Sequence, residues 1–187
     1  MTETGGMEAR SVLVLGGARS GKSRTAETLA QTSGLRLVYL ATAGPPRDGE
    51  MADRIALHRH RRGTEWTTVE EPLDLVGAVE RSAGAETVVL VDCLTLWLSN
   101  LMAEGRDVDA ETERLCGALR EVAGPVILVS NEVGGGIVPE NALARAFRDH
   151  QGRLNQAVAA IVDAAVLVVA GRALVLPGAS CPDIALR

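Results

Sequence analysis

The chain has 187 residues, 47% of them hydrophobic, with a formal net charge of −5. That length and apolar content suit a single domain over residues 1–187, with flexible ends expected at 1–10 and 177–187. The acidic balance and an aromatic content of 2% speak against nucleic acid as the main partner, since phosphate binding needs a basic surface and base stacking needs aromatic rings. With only Tyr39, Trp66, Trp97 and Phe147 as aromatics, the core must be aliphatic, which suits a parallel sheet of Val, Leu and Ile strands. Cys93, Cys116 and Cys181 are widely spaced and form no C-x-x-C pair, so neither a zinc site nor a disulfide framework is indicated. No stretch reaches the length of a membrane span, and residues 1–10 lack an apolar signal region. A reducing cytoplasm is the expected compartment.

In chain order, Ser11, Val12, Leu13, Val14 and Leu15 form a short apolar run that reads as a buried strand. Gly16-Gly17-Ala18-Arg19-Ser20-Gly21-Lys22-Ser23 follows and fits G-x-x-x-x-G-K-[ST], the phosphate-binding loop. Its glycines let the backbone curl so that successive N–H groups point at phosphate oxygens. Lys22 is placed to reach the β- and γ-phosphates, and the Ser23 hydroxyl to bind Mg²⁺. Residues 22–31 read as a helix, with Ala26, Leu29 and Ala30 as apolar positions and Ser33-Gly34 as a stop. Strand, glycine loop and helix are the context the motif requires, and the helix N-terminus adds partial positive charge.

Residues 35–42 read as a second strand ending in the small residues Ala41-Thr42-Ala43. Carboxyl ends of strands line the ligand crevice in open parallel sheets, so this is either room for a nucleotide or an ordinary strand end. The loop Gly44-Pro45-Pro46-Arg47-Asp48-Gly49 leads to a helix over residues 50–62, which ends in His58-Arg59-His60-Arg61-Arg62. That basic run is a solvated helix face or a second anion site. At about 100° per residue, His58 falls within roughly 60° of Met51 and Ile55, and His60 falls on the opposite side. His58 therefore faces the protein body, as a structural histidine or a functional one, and His60 faces water.

Residues 65–71 lean towards strand, and Pro72 opens a helix through about residue 82. Residues 87–92 are an apolar strand ending in Asp92, which either holds Mg²⁺, directly or through water, or caps a helix. Leu94, Trp97, Leu98, Leu101 and Met102 make one wide helix face that is buried or lies in a subunit interface. A helix over 110–122 and a buried strand over 126–130 come next. The loop Asn131-Glu132-Val133-Gly134-Gly135-Gly136 then touches substrate or serves as a mobile connection. Asn141 caps a long helix reaching about residue 163, with an interruption at Gly152. Strands at 165–170 and 173–176 form a hairpin with Gly171-Arg172 at its turn. The predicted architecture is α/β, a mostly parallel sheet flanked by helices with a C-terminal β-hairpin.

Several stretches together resemble one family, the bifunctional adenosylcobinamide kinase and adenosylcobinamide-phosphate guanylyltransferase of cobalamin biosynthesis. They are the phosphate loop with Arg24, Tyr39-Leu40-Ala41-Thr42-Ala43, Glu50-Met51 through Arg54-Ile55 to His58-Arg59, and Trp66 with Glu70. Further on they are Val91-Asp92-Cys93-Leu94-Thr95, Ser130-Asn131-Glu132-Val133-Gly134, Gly136-Ile137-Val138-Pro139-Glu140-Asn141, Phe147-Arg148-Asp149 and Gly152-Arg153-Leu154-Asn155-Gln156. The phosphate loop is generic, but the ordered set is specific and runs over residues 11–176.

The resemblance implies a RecA-like P-loop NTPase fold and two reactions. A nucleoside triphosphate, ATP or GTP, phosphorylates the terminal hydroxyl of adenosylcobinamide. GTP then guanylylates an enzyme histidine, His58 by its place in the motif, and that GMP passes to adenosylcobinamide phosphate to give adenosylcobinamide-GDP. The implied nucleotide contacts are Gly16, Gly17, Ala18, Arg19, Ser20, Gly21, Lys22, Ser23, Ala41, Thr42, Ala43, Arg59, His60, Arg61, Arg62, Glu70 and Asp92, with Mg²⁺ on Ser23 and Asp92. Family members are oligomers, with a trimer known. Pro45-Pro46 before the basic helix and the tail from Pro177 depart from the family pattern.

Three other readings have their own signatures. A GTPase switch usually carries an Asn-Lys-x-Asp motif, and none occurs here. A RecA-type nucleic-acid ATPase is stimulated by single-stranded DNA. A plain small-molecule kinase phosphorylates without a covalent nucleotide adduct.

Overall fold

The computed structural model describes residues 9–44 and 64–178. The basic segment with His58, Arg59, His60, Arg61 and Arg62 lies outside the described residues, as do Pro45-Pro46 and Cys181. The elements in chain order are β1 (Ser11–Gly16), α1 (Lys22–Thr32), β2 (Arg36–Ala41), β3 (Trp66–Glu70), α2 (Leu75–Ser82) and β4 (Thr87–Asp92). They continue with α3 (Leu94–Ala103), α4 (Val108–Glu121), β5 (Val126–Asn131), α5 (Ala142–Ala159), β6 (Ala164–Val169) and β7 (Arg172–Leu176). The seven strands form one sheet in the order β3-β2-β4-β5-β1-β6-β7. Every neighbouring pair is parallel except β6-β7.

The central strands are covered on both faces, which is why they read as unbroken aliphatic runs. Val14, Tyr39, Leu90, Val129 and Val168 pack on one face with Ala26 and Ala30 of α1. Leu13, Val38, Val91 and Leu128 pack on the other with Leu75 and Val79 of α2, Leu98 and Leu101 of α3, Leu115 of α4 and Leu154 and Val158 of α5. Among the described residues, α1 thus covers one face and four helices cover the other. The apolar face of α3 belongs to this core, since Leu94, Trp97, Leu98 and Leu101 are at most 1% exposed. The Trp97 indole donates to the Leu73 carbonyl at 2.9 Å, satisfying its polar handle. No helix among the described residues is long and apolar enough to cross a membrane.

Several boundaries differ from the sequence expectation for local reasons. Helix α2 begins at Leu75 rather than Pro72, because Asp74 caps it through the Gly77 amide. The Glu71 carboxylate holds the Leu73 and Asp74 amides in a turn just before. Gly152 does not interrupt α5, and a Cβ built there meets nothing within 4 Å. The hairpin turn is Ala170-Gly171 rather than Gly171-Arg172, because Val169 pairs with Arg172. Both turn residues have positive φ, 52° and 75°, as a two-residue I′-type turn requires.

Helix α5 ends at Ala159 rather than near 163, because Asp163 is used elsewhere. Its carboxylate accepts from the Arg10 amide at 2.8 Å, the Ser11 amide at 2.8 Å and the Ser11 hydroxyl at 3.0 Å, tying the start of β6 to the start of β1. The two backbone amides, Ser11 first, hold its carboxyl below the usual carboxylate range. A carboxylate depressed on folding stabilises above its unfolded pKa, and that contribution is lost as pH falls through the folded pKa. Asp163→Asn should therefore melt below wild type at neutral pH, with the gap closing below about pH 4, the range where carboxylates protonate. Thermal melts across pH test this, and a gap that is constant with pH would refute it.

Candidate active site

The site is built where β1 gives way to α1, in the interior of the sheet between β5 and β6. A Cβ at Gly16 would lie 2.5 Å from the Ser20 hydroxyl and 2.6 Å from the Val168 carbonyl, so the close approach admits only glycine. Arg19 at φ 56° and Gly21 at φ 100° curl the loop, and the Ser20 amide donates to the Gly17 carbonyl at 3.2 Å. The Gly171 amide of the hairpin turn donates to the Ser20 carbonyl at 2.8 Å and buttresses the loop from behind. Lys22 reaches back over the loop, its ammonium donating to the Gly17 carbonyl at 3.4 Å. Ser23 follows in the first turn of α1, a turn that carries no acidic residue, so its positive end is open to an anion.

Ala41, Glu70 and Asp92, also predicted site residues, fall on the same face. The strand register aligns Gly16 with Asn131, Ala41 with Asp92 and with Glu70, and Asp92 with Val129. Side chains alternate along a strand. Asp92, Glu70 and Asn131 therefore share the α1 side with Tyr39, Leu90 and Val129. All of them lie at carboxyl ends of parallel strands, where open α/β sheets bind ligands. The Tyr39 hydroxyl donates to Asp92 Oδ2 at 2.9 Å.

Thr42 is fully buried and its polar groups serve the fold. Its hydroxyl donates to the Cys93 carbonyl at 2.7 Å and accepts from the Cys93 amide at 2.8 Å. Its amide donates to the Asp92 carbonyl at 3.3 Å, and its own carbonyl accepts from the Asn100 side chain at 2.8 Å. What this strand end leaves towards the crevice is the small side chain of Ala41. The adjoining Cys93 thiol is pushed up to about 12, by burial first and the Asp92 charge second. It stays protonated at neutral pH and is no nucleophile.

Sequence reasoning missed the residues that hold the end of β5. Ser130, Gln151 and Asn155 form a buried polar cluster. The Ser130 hydroxyl donates to Asn155 Oδ1 at 2.6 Å, and the Gln151 amide donates to both at 3.0 Å. Asn155 then donates to the Asn131 carbonyl at 3.0 Å, and the Thr95 hydroxyl accepts from the Asn131 amide at 2.8 Å. The Glu132 amide donates to the Gly16 carbonyl at 3.1 Å, fastening this turn to the phosphate loop. A signal was available. Gln151, Leu154, Asn155 and Val158 follow i, i+3, i+4, i+7 spacing, the buried stripe of a helix. Polar side chains on such a stripe need partners.

The donor set suits Mg²⁺. Among the described residues no group of three or more His, Cys, Asp or Glu could cage a metal. Mg²⁺ is commonly held by one or two carboxylates together with substrate phosphates and water. The Ser23 hydroxyl and the Asp92 oxygen not engaged by Tyr39 are hard donors of that kind.

Comparison with known proteins agrees with this geometry. The family model for cobinamide kinase / cobinamide phosphate guanyltransferase matches residues 12–176. The bifunctional adenosylcobalamin biosynthesis protein CobP of Pseudomonas aeruginosa is 49% identical over 168 residues, which covers 89% of this chain and 96% of that protein. The corresponding protein CobU of Escherichia coli is 42% identical over 175 residues, covering 86% and 96%. Among solved structures, an ATPase of a bacterial type III secretion system superposes with a TM-score of 0.52 at 14% identity, covering 84% of this chain and 50% of that one. The RadB recombinase gives 0.50 at 18% identity, covering 87% and 76%. These two share the fold, that of a RecA-like P-loop NTPase. A family model that spans β1 to β7, with relatives aligned over nearly their whole length, makes this chain a member of the cobinamide kinase / cobinamide phosphate guanyltransferase family, and so a bifunctional transferase of cobalamin biosynthesis.

Proposed function

We propose that the α1 side of the sheet's carboxyl edge is the nucleotide site for both reactions. The observation that carries this is the phosphate loop with Lys22 over its mouth, on the same sheet face as Asp92. In the kinase step the adenosylcobinamide hydroxyl oxygen bonds to the γ-phosphorus of ATP or GTP. The bond from that phosphorus to the β-phosphate oxygen breaks, the nucleoside diphosphate leaves, and the hydroxyl proton passes to solvent. Such transfer needs positioning and charge neutralisation more than covalent help. The backbone N–H groups of residues 16–23 hold the phosphates, and Lys22 balances their charge. Ser23 and Asp92 would hold Mg²⁺. Mg²⁺, when bound, neutralises the phosphate oxygens during transfer.

In the second step an imidazole nitrogen of His58 attacks the α-phosphorus of GTP and pyrophosphate leaves, forming a phosphoramidate. An oxygen of adenosylcobinamide phosphate then attacks that phosphorus, the P–N bond breaks, and adenosylcobinamide-GDP is released. Histidine suits the step because it is a neutral nucleophile near pH 7. Arg59, Arg61 and Arg62, with His60 beside them, grip the triphosphate and disfavour imidazolium at His58. Ala41, Ala43 and Glu70 line the nucleotide's side of the crevice, and Thr42 holds that strand end from within the fold. The chain works as a homo-oligomer, a trimer by family resemblance, in the cytoplasm.

Intact mass spectrometry after incubation with GTP and Mg²⁺ tests the covalent step. A GMP increment supports it, while phosphorylated cobinamide with no increment makes the protein a plain kinase. Asp92→Asn should raise the Mg²⁺ concentration for half-maximal rate about tenfold, the equivalent of ~1.4 kcal/mol. An unchanged Mg²⁺ titration would leave Asp92 a purely structural residue.

A further inference from the structure

We propose that Tyr39 orients the Asp92 carboxylate, holding one oxygen and reserving the other for the Mg²⁺–nucleotide complex. This makes Tyr39 a positioning residue for phosphoryl transfer, and the inference rests on the reading of Asp92 given above. Tyr39 pairs in register with Leu90, so Asp92 is its diagonal neighbour on the same sheet face. Such neighbours stand about 7–8 Å apart, within reach of aromatic and long side chains. Ala41 stands directly opposite Asp92 and presents only a methyl group beside that path. The hydroxyl arrives 2.9 Å from Asp92 Oδ2.

Both partners are immobilised. Tyr39 is 4% exposed, and its ring meets Trp66 edge-on, with centroids 5.9 Å apart and planes at 86°. The backbone around Asp92 is clamped by Thr42, which bonds the Asp92 carbonyl and both the amide and the carbonyl of Cys93. One stretch of β2 and its extension therefore fixes Asp92 twice, by backbone and by side chain. A carboxylate with one oxygen held by a phenol offers the other in one fixed direction. Without the phenol, the group turns about its terminal torsion, which is broad and nearly two-fold. Partners that orient a metal ligand typically change metal affinity by 10–100-fold.

The test is calorimetric binding of a non-hydrolysable ATP analogue, with Mg²⁺ and separately with EDTA. It compares wild type, Tyr39→Phe, Asp92→Asn and the double variant. Tyr39→Phe should bind about tenfold more weakly with Mg²⁺ and near wild type in EDTA, which also reports that the variant is folded. The double variant should match Asp92→Asn, since a residue acting through Asp92 has nothing left to orient. Equal losses with Mg²⁺ and with EDTA would make Tyr39 a packing residue and overturn the proposal. So would additive losses in the double variant. If Asp92→Asn loses the Mg²⁺ enhancement while Tyr39→Phe keeps it, the proposal fails and the Asp92 reading stands. If Asp92→Asn also keeps it, both fall.

Discussion

Lys22→Ala is expected to slow both reactions by on the order of 10²–10³-fold, the scale of losing one preorganised charge at a transferring phosphoryl group. The fold should persist. In the structure the Lys22 ammonium makes one long contact, 3.4 Å to the Gly17 carbonyl, and the curl of the loop is held by other groups. The Ser20 amide closes the loop on Gly17, and the Gly171 amide supports it from the hairpin. Removing an ammonium with so little structural duty should cost under about 1 kcal/mol of stability. The measurement pairs steady-state rates for phosphorylation and guanylyl transfer with a thermal melt. Near-normal turnover in a folded variant would remove this loop from the active site.

His58→Asn should abolish guanylyl transfer and the GMP mass increment altogether, because on the proposed reading the reaction loses its nucleophile. Kinase activity should survive at least in part, since phosphoryl transfer requires no covalent help from the protein. His60→Asn should keep the adduct, because on a helix His60 points roughly 200° away from His58. A phosphoramidate is labile in acid and comparatively stable in alkali, so its loss on mild acidification identifies the linkage. Label on His60 would overturn the helix-face argument and leave the reaction class intact. No label on either histidine, while product still forms, would overturn the covalent mechanism.

How much of this was legible in the sequence depends on the range of the interactions involved. The phosphate loop was readable because its chemistry lies within eight consecutive residues, Gly16 to Ser23. β1, β4 and β5 were readable to within a residue because burial on both faces leaves uninterrupted aliphatic runs. Asp92 was legible as an acid closing such a run. Its tether to Tyr39 was not, because it follows from the register between β2 and β4, with the partners 53 positions apart in sequence. The cluster of Ser130, Gln151 and Asn155 is likewise made across the sheet, and only the misplaced polarity on α5 pointed to it. The end of α5 was misread because Asp163 answers to Arg10 and Ser11, at the far end of the chain.

The place of β5 between β1 and β4 has an electrical consequence. Neighbouring strands lie about 4.8 Å apart, so the strands that deliver Lys22 and Asp92 are separated by roughly 10 Å. On adjacent strands the ammonium and the carboxylate would collapse onto each other and cancel. Kept apart, each rests on an uncharged group, the Gly17 carbonyl and the Tyr39 hydroxyl. The site is a gap held open between a positive and a negative pole. On the proposed reading, a polyphosphate carrying a divalent cation would have the matching order of charges, its anionic end towards the lysine and its metal towards the aspartate. It completes the circuit without first having to break one.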